Sequence, residues 1–433
     1  MRVVIAADGL TAEVTAARGA PCSEAELHHE LATAGVCFGL DQVAIAEFAN
    51  RMLEPEWAGS AIVARGRHAE PGRDGRLLLT PAPGLQAGHE HRDGHIDYRE
   101  RQFLVPIQSG AWVGTVQTAT AGVDGRSVLD RPVPAKPGTA LKLRIGPGLR
   151  QDDDRLQALR GGVLSWTPPV VDVVPLYTHG GDIDYHTGNL HTDGSLELRG
   201  DVREGFAATA THDVRIAGAV LNGTAVAGGS LVVDQGVLGG DARAEARGDI
   251  HCRHATAATL IAGGTVTFGD EATHCRLRAT SLVAMTGRGT VFGGELRVRQ
   301  TITVRTAGTG QGAPTLLLVG DVSDAEADSV RNGNADRKLA ERMLQRGRQD
   351  TGRAGKATRE AVRLGDPAQQ ERIRLRLMQR ELLRTATVDI HETLHAGARV
   401  QFGERTFTSD EPRHHLRLRW DEAKDDIVEE PLP

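Results

Sequence analysis

The feature that most constrains this chain is an internal repeat in its middle third. With Gly194, His212, Gly229, Gly248, Gly264, Thr280 and Gln300 as anchors, the intervals are 18, 17, 19, 16, 16 and 20 residues. Two residues after each anchor stand Leu196, Val214, Leu231, Ile250, Val266, Leu282 and Ile302. Four residues after stand Leu198, Ile216, Val233, Cys252, Phe268, Ala284 and Val304. Every one is apolar or Cys, whereas the residues between them, such as Glu197, Arg215, His251 and Thr267, are mostly polar. Alternation of period two marks a strand with one buried face. Its return about every 18 residues stacks each strand on its equivalent one turn later.

The pattern predicts a mainly β chain organised around a parallel β-helix, with coils about 4.8 Å apart. The core ladder expected from it is Leu198, Ile216, Val233, Cys252 and Phe268. Glycines are expected to supply corners with positive φ. A β-sandwich would need Asn-Gly hairpin turns between most strands, and Asn222-Gly223 is the clearest of few. A left-handed hexapeptide helix also has 18 residues per coil. Every sixth residue from Leu190 to Phe268 is indeed apolar or Ala except Thr256, so this test leaves handedness open. The drift between 16 and 20 residues per coil favours the right-handed form.

Composition agrees with a solenoid. Of the 433 residues 52 are Gly, without a G-X-Y period, and only 3% are aromatic, so the core must be built of Val, Leu, Ile and Ala. Four scattered cysteines make no disulfide framework. The first residues lack an apolar leader and no stretch is apolar enough for a membrane span, which makes the cytoplasm the expected compartment. A net charge of −6 argues against nucleic acid as the partner. Only 5 of the 51 basic residues are Lys, a bias read as genomic rather than functional.

The repeat is flanked by other patterns. Residues 1–55 read as a small α+β unit, with a capping box at Ser23-Glu24-Ala25-Glu26 and a second helix from Asp41. Residues 56–175 are β-rich with turns such as Gly72-Arg73-Asp74-Gly75. The β-helix is expected over 176–322. Over 323–385 the spacing of Leu339, Met343 and Leu344, then Ile373, Leu377 and Leu382, predicts an inserted helical hairpin or short coiled coil. Residues 386–420 return to β, and 421–433 form an acidic tail.

These pieces together resemble the flagellar assembly protein A (FapA) family of bacteria. The matching segments are Ile62-Val63-Ala64-Arg65-Gly66, Gly72-Arg73-Asp74-Gly75, Asp93-Gly94-His95-Ile96-Asp97-Tyr98-Arg99-Glu100 and Gly122-Val123-Asp124-Gly125. They continue with Asp182-Ile183-Asp184-Tyr185-His186-Thr187-Gly188-Asn189, Arg199-Gly200-Asp201-Val202 and Gly293-Gly294-Glu295. The resemblance implies an N-terminal domain, a right-handed β-helix, a coiled-coil insertion and a cytoplasmic life linked to flagellar assembly or polar organisation. It carries over no catalytic residue.

Several constellations invite chemistry. His251-Cys252-Arg253-His254 and His274-Cys275 contain zinc-type ligands, but Cys252 occupies an inward slot of the repeat and reads as core. His89, His91 and His95 alternate along a segment that reads as a solvated turn flank. Asp182, Asp213 and Asp249 follow anchor-type positions. A β-helix lyase would array carboxylates in one groove, yet Ser195, Ser230 and Thr265 interrupt the series, so these Asp read as turn formers. No metal and no cofactor are expected.

From Arg331 to Arg384 there are 15 Arg or Lys against 7 Asp or Glu, a net of +8 that leaves −14 on the rest. This segment reads either as a solvated face or as an arm for an acidic partner, with Arg372, Arg374, Arg376 and Arg380 as the docking candidates. The expected function is a non-enzymatic scaffold or adaptor with protein partners, or a homo-oligomer. The alternatives are a β-helix enzyme acting on polysaccharide or transferring acyl groups, and a polymer-forming element of bactofilin type.

Overall fold

Three β-ladders, rather than one, run the length of the repeat. The computed structural model describes residues 1–18, 22–54, 56–80, 89–90, 96–97, 99, 101, 103–320 and 378–432. On the first face Leu196 pairs in parallel with Val214, then Leu231, Ile250 and Val266. Lower down, Leu282 pairs with Ile302 and Ile302 with Val388. The second face stacks Leu190, Ala208, Ala225, Ala244, Leu260, Leu277, Leu296, Leu317 and Val400. The third stacks Ile183, Val202, Val220, Val237, Ala255, Ala272 and Val291. Each coil therefore places one inward column on each of three sides, and the product is a β-solenoid.

Leu198, Ile216, Val233, Cys252 and Phe268 are all fully buried in one continuous core, as the repeat requires. On the second face positions 208, 225 and 244 are Ala, whereas the first face carries Leu, Val and Ile, so small and large columns share one interior. The sixfold sequence phase does not survive. Val226 and Val232 point outward and are half-buried, while Ala225, Ala227, Leu231 and Val233 point in.

The glycines at the repeat anchors are not positive-φ corners. Gly194, Gly229, Gly248 and Gly264 do not adopt positive φ, although others such as Gly205, Gly239 and Gly308 do. What these positions require is room. A β-carbon at Gly194 would meet the carbonyl of Pro175, and one at Gly229 or Gly264 would meet the carboxylate of Asp213 or Asp249. At Gly248 it would stand 2.8 Å from the Ser230 hydroxyl.

Before the solenoid, helices Glu24–Thr33 and Gln42–Arg51 pack Leu27, Leu31, Ile45 and Phe48 on a three-stranded sheet. Ser23 and Glu26 form the capping box, and Asp41 caps the second helix. The sheet of the first unit extends past residue 55. The third strand of that sheet is Gly59–Arg65, and Trp57 stands edge-on to Phe48 with ring centroids 5.2 Å apart. Val128 joins the same core from much later in the chain. The rest of this region forms two four-stranded sheets around Val113, Leu156, Leu164, Val171 and Val173.

Both ends of the solenoid are covered. At the start, Leu104 and Val163 join its core. Arg101 donates to the carbonyls of Tyr185 (2.8 Å) and His186 (2.9 Å). At the finish, strand Arg413–Asp421 lies antiparallel on Thr387–Leu394, placing Leu416 opposite Ile390 and Leu418 opposite Val388. The segment expected to be an acidic tail is instead folded. Asp426–Pro431 pairs with Arg413–Asp421, and across that pair Glu429 reaches Arg413 and Glu430 reaches Arg419.

Candidate functional site

The corner carboxylates are held by the coils themselves. Asp182 Oδ1 accepts from the Asp201 N–H at 2.8 Å, and Asp201 Oδ1 from the Ala219 N–H at 2.9 Å. At another corner Asp213 Oδ1 accepts from Ser230 N at 2.8 Å, Ser230 Oγ from Asp249 N at 3.4 Å, and Asp249 Oδ1 from Thr265 N at 2.7 Å. These are inter-coil bonds, each made to the next turn. The N–H from Asp201, reinforced by Arg203 at 2.7 and 2.9 Å, holds the Asp182 carboxyl below its usual range. Ser230 and Thr265, which interrupt the Asp series, belong to the ladder of Asp213 and Asp249. Asp201 belongs instead to the corner of Asp182 and escaped the sequence reading. The signal available was an Asp followed 15 to 18 residues later by Gly, as in Asp182/Gly200, Asp213/Gly229 and Asp249/Gly264.

Cys252 is fully buried in the first-face ladder, with Val233 above and Phe268 below. Burial pushes its thiol far up, and pushes Cys275 up to about 11. His251 is exposed on the opposite side of the same strand, and His274 stacks edge-on against Phe292 with centroids 5.8 Å apart. Among the described residues no three His, Cys, Asp or Glu side chains come together as a metal-binding group. His89 lies in a short strand paired with Ile96–Asp97, and His91 and His95 lie outside the described residues.

Of the proposed docking arginines, Arg372, Arg374 and Arg376 lie outside the described residues, as does most of the expected hairpin. Arg380 lies in the helical stretch 378–385 and binds Glu422 at 3.0 Å. Arg384 grips the same carboxylate at 2.9 and 3.0 Å. The Arg384 bond is the main reason the Glu422 carboxyl is lowered. Leu383 is buried beneath this clasp, close to Gly320 and Gly403.

One concave feature lies outside these constellations, a groove of about 410 Å³ along the edge of the second face. Its floor carries the outward column Val226, Glu245, Ile261 and Arg278 on successive coils. Its rim is the adjoining corner, where Thr211, Gly228, Arg247, Gly263, Thr280 and Arg299 follow one another. Sequence reading missed it, because outward residues carry no periodic signal and Arg247, Arg278 and Arg299 are far apart in the chain.

The comparisons with known proteins agree along the whole chain. Residues 1–167 match the model of the Flagellar Assembly Protein A N-terminal region, and residues 175–424 match that of the Flagellar Assembly Protein A beta solenoid domain. The chain belongs to the FapA family. The division at 167–175 falls where the strand Val170–Val174 hands over to the first solenoid strand, Leu176–His179. No curated protein and no solved structure gives a significant match. Among the described residues no helix is long and apolar enough to cross a membrane.

Proposed function

We propose that this FapA-family chain is a non-enzymatic cytoplasmic scaffold or adaptor in flagellar assembly or cell-pole organisation, working through protein–protein contacts. The observation that carries the reading is the engagement of Asp182, Asp201, Asp213 and Asp249 by backbone N–H groups of the next coil. Carboxylates of that kind would have to be free to serve a lyase. Here they tie the coils together, so the outer surface is left to binding.

The covered ends favour a discrete scaffold over a bactofilin-like polymer. End-to-end stacking needs open strand edges, and here Leu104 closes one end and Leu416 and Leu418 the other. The uneven coil length supports the right-handed sense. The basic segment containing Arg372, Arg374 and Arg376 is the proposed docking arm, by its charge alone. Arg380 is the weakest of the four candidates, since Glu422 already holds it.

The test is genetic. Deleting the gene in its native host should reduce assembled or correctly placed flagella, and the wild-type chain should restore them. Normal flagellar number, position and motility in the deletion strain would contradict the flagellar role.

A further inference from the structure

We infer that the C-terminal strand Asp426–Pro431 is a built-in stop, which keeps two copies of this chain from joining through the last sheet edge of their solenoids. Such a stop acts whichever proteins the chain holds, so it stands apart from the scaffold reading. The strand pairs on one side with Arg413–Asp421, and among the described residues no strand pairs with its other side. The Leu432 N–H donates to the His415 carbonyl at 2.9 Å. Hydrogen-bonded pairs alternate along an antiparallel ladder. Glu430, Val428 and Asp426 therefore bond back to Arg417, Arg419 and Asp421, whereas Ile427, Glu429 and Pro431 turn their backbone groups to the open edge.

Each of these three positions is spoiled for a further strand. The Ile427 N–H is already taken by the Asp426 carboxylate at 2.9 Å. Pro431 has no N–H to give. The Glu429 side chain lies on the same side of the sheet as the buried Leu418, where another layer of core would form. Arg413 holds that carboxylate at 2.8 Å while lying over the Phe407 ring, 5.8 Å from its centroid. An inward charge and a proline are the devices by which exposed edge strands resist pairing.

A second copy is the partner these features oppose. Two identical strands can meet antiparallel about a two-fold axis. Centred on residue 429, that pairing sets the two Glu429 carboxylates opposite one another and faces each Ile427 with the partner's donorless Pro431. Centred on residue 428, it sets Glu430 opposite Asp426 twice. Like charges directly opposite destabilise a ladder. The strand carries Asp426, Glu429 and Glu430 and no basic residue, so self-pairing is opposed in either register.

The experiment compares the full chain with its Asp426→Val/Glu429→Val/Pro431→Val variant by size exclusion with light scattering, over a range of concentrations. The average mass of the variant should rise to at least twice that of the wild type, with its melting temperature kept. Amide exchange over residues 426–431 should slow as the variant associates and stay constant with concentration in the wild type. Glu430→Val, which removes a charge from the other side of the strand, should leave the mass alone. If the triple variant does not fold, Glu429→Val/Pro431→Val should give the same doubling at higher concentration. A variant mass equal to that of the wild type overturns the inference. So does association with protection elsewhere, the same doubling in Glu430→Val, or a wild-type chain already paired through 426–431. None of these outcomes touches the scaffold reading, which falls only with the flagellar phenotype.

Discussion

Asp213 and Gly229 are shaped for one another across a single coil. The carboxylate Oδ1 of Asp213 accepts the N–H of Ser230 at 2.8 Å, and it lies in the space a β-carbon on Gly229 would fill. The same pairing joins Asp249 to Gly264-Thr265 and Asp182 to Gly200-Asp201. Asp213→Ala should cost about 1 kcal/mol through the lost bond. Gly229→Ala should cost about 1–3 kcal/mol through crowding. In the double variant the crowding is relieved, so the two costs should fall short of their sum by at least about 0.5 kcal/mol. Chemical denaturation of the four proteins measures this, and strict additivity would refute the pairing.

The core ladder makes a harsher expectation. Ile216 is fully buried between Leu198 and Val233. Ile216→Asp would bury a carboxylate with no partner, at a cost of at least several kcal/mol. Soluble expression should be lost. A soluble variant that melts like the wild type would show that this column does not face inward.

The cysteines separate by burial. Cys37 is exposed, whereas Cys22, Cys252 and Cys275 are buried. In the native chain a thiol reagent at pH 8 should label Cys37 rapidly and reach Cys252 and Cys275 only on unfolding. Because burial raises both of these thiols, the unfolded chain releases their protons first as the medium becomes alkaline. Their contribution to stability is whole below about pH 8.5 and should decline as pH rises toward the Cys275 value of about 11. Cys252→Val should melt near the wild type and flatten that alkaline decline. One zinc per chain, lost in Cys252→Val, would overturn the reading of Cys252 as core.

How much of this was legible in the sequence follows from which residues face inward. Leu196, Val214 and Leu231 announce themselves because burial demands the same chemistry at the same place in every coil. Ser23 and Glu26 announce a helix start because the capping box is local. The pairing of strand Gly59–Arg65 with Thr11–Ala16 is not legible, since strand pairing is a tertiary choice that periodicity does not encode. The C-terminal strand Asp426–Pro431 was hidden for a similar reason. Its Glu429 and Glu430 look like a solvated tail until Arg413 and Arg419 are placed opposite them. The groove was invisible, because its arginines are neighbours only once the coils are stacked.

The clasp between Glu422 and its two arginines should respond to acid. Arg384 is the main cause of the lowered Glu422 carboxyl, with Arg380 adding to it. A lowered value means that the contribution is present above about pH 4.3, the ordinary range for Glu, and is lost as pH falls through the folded value. The side chains are substantially exposed, so the global effect should be no more than about 1 kcal/mol. Glu422→Gln should raise amide exchange over residues 378–385 at pH 7 and leave the solenoid unchanged. Unaltered exchange there would show that Leu383, not the ion pairs, anchors this stretch.

A chain that works by holding other proteins should carry them with it on affinity capture of the tagged full-length chain from its native cells, after brief crosslinking and read by mass spectrometry. The expected result is a reproducible set of flagellar or cell-pole proteins, recovered less well when Arg372, Arg374 and Arg376 are changed to Gln and when salt is raised. Recovery of no protein above an untagged control would show that the chain does not act by holding other proteins.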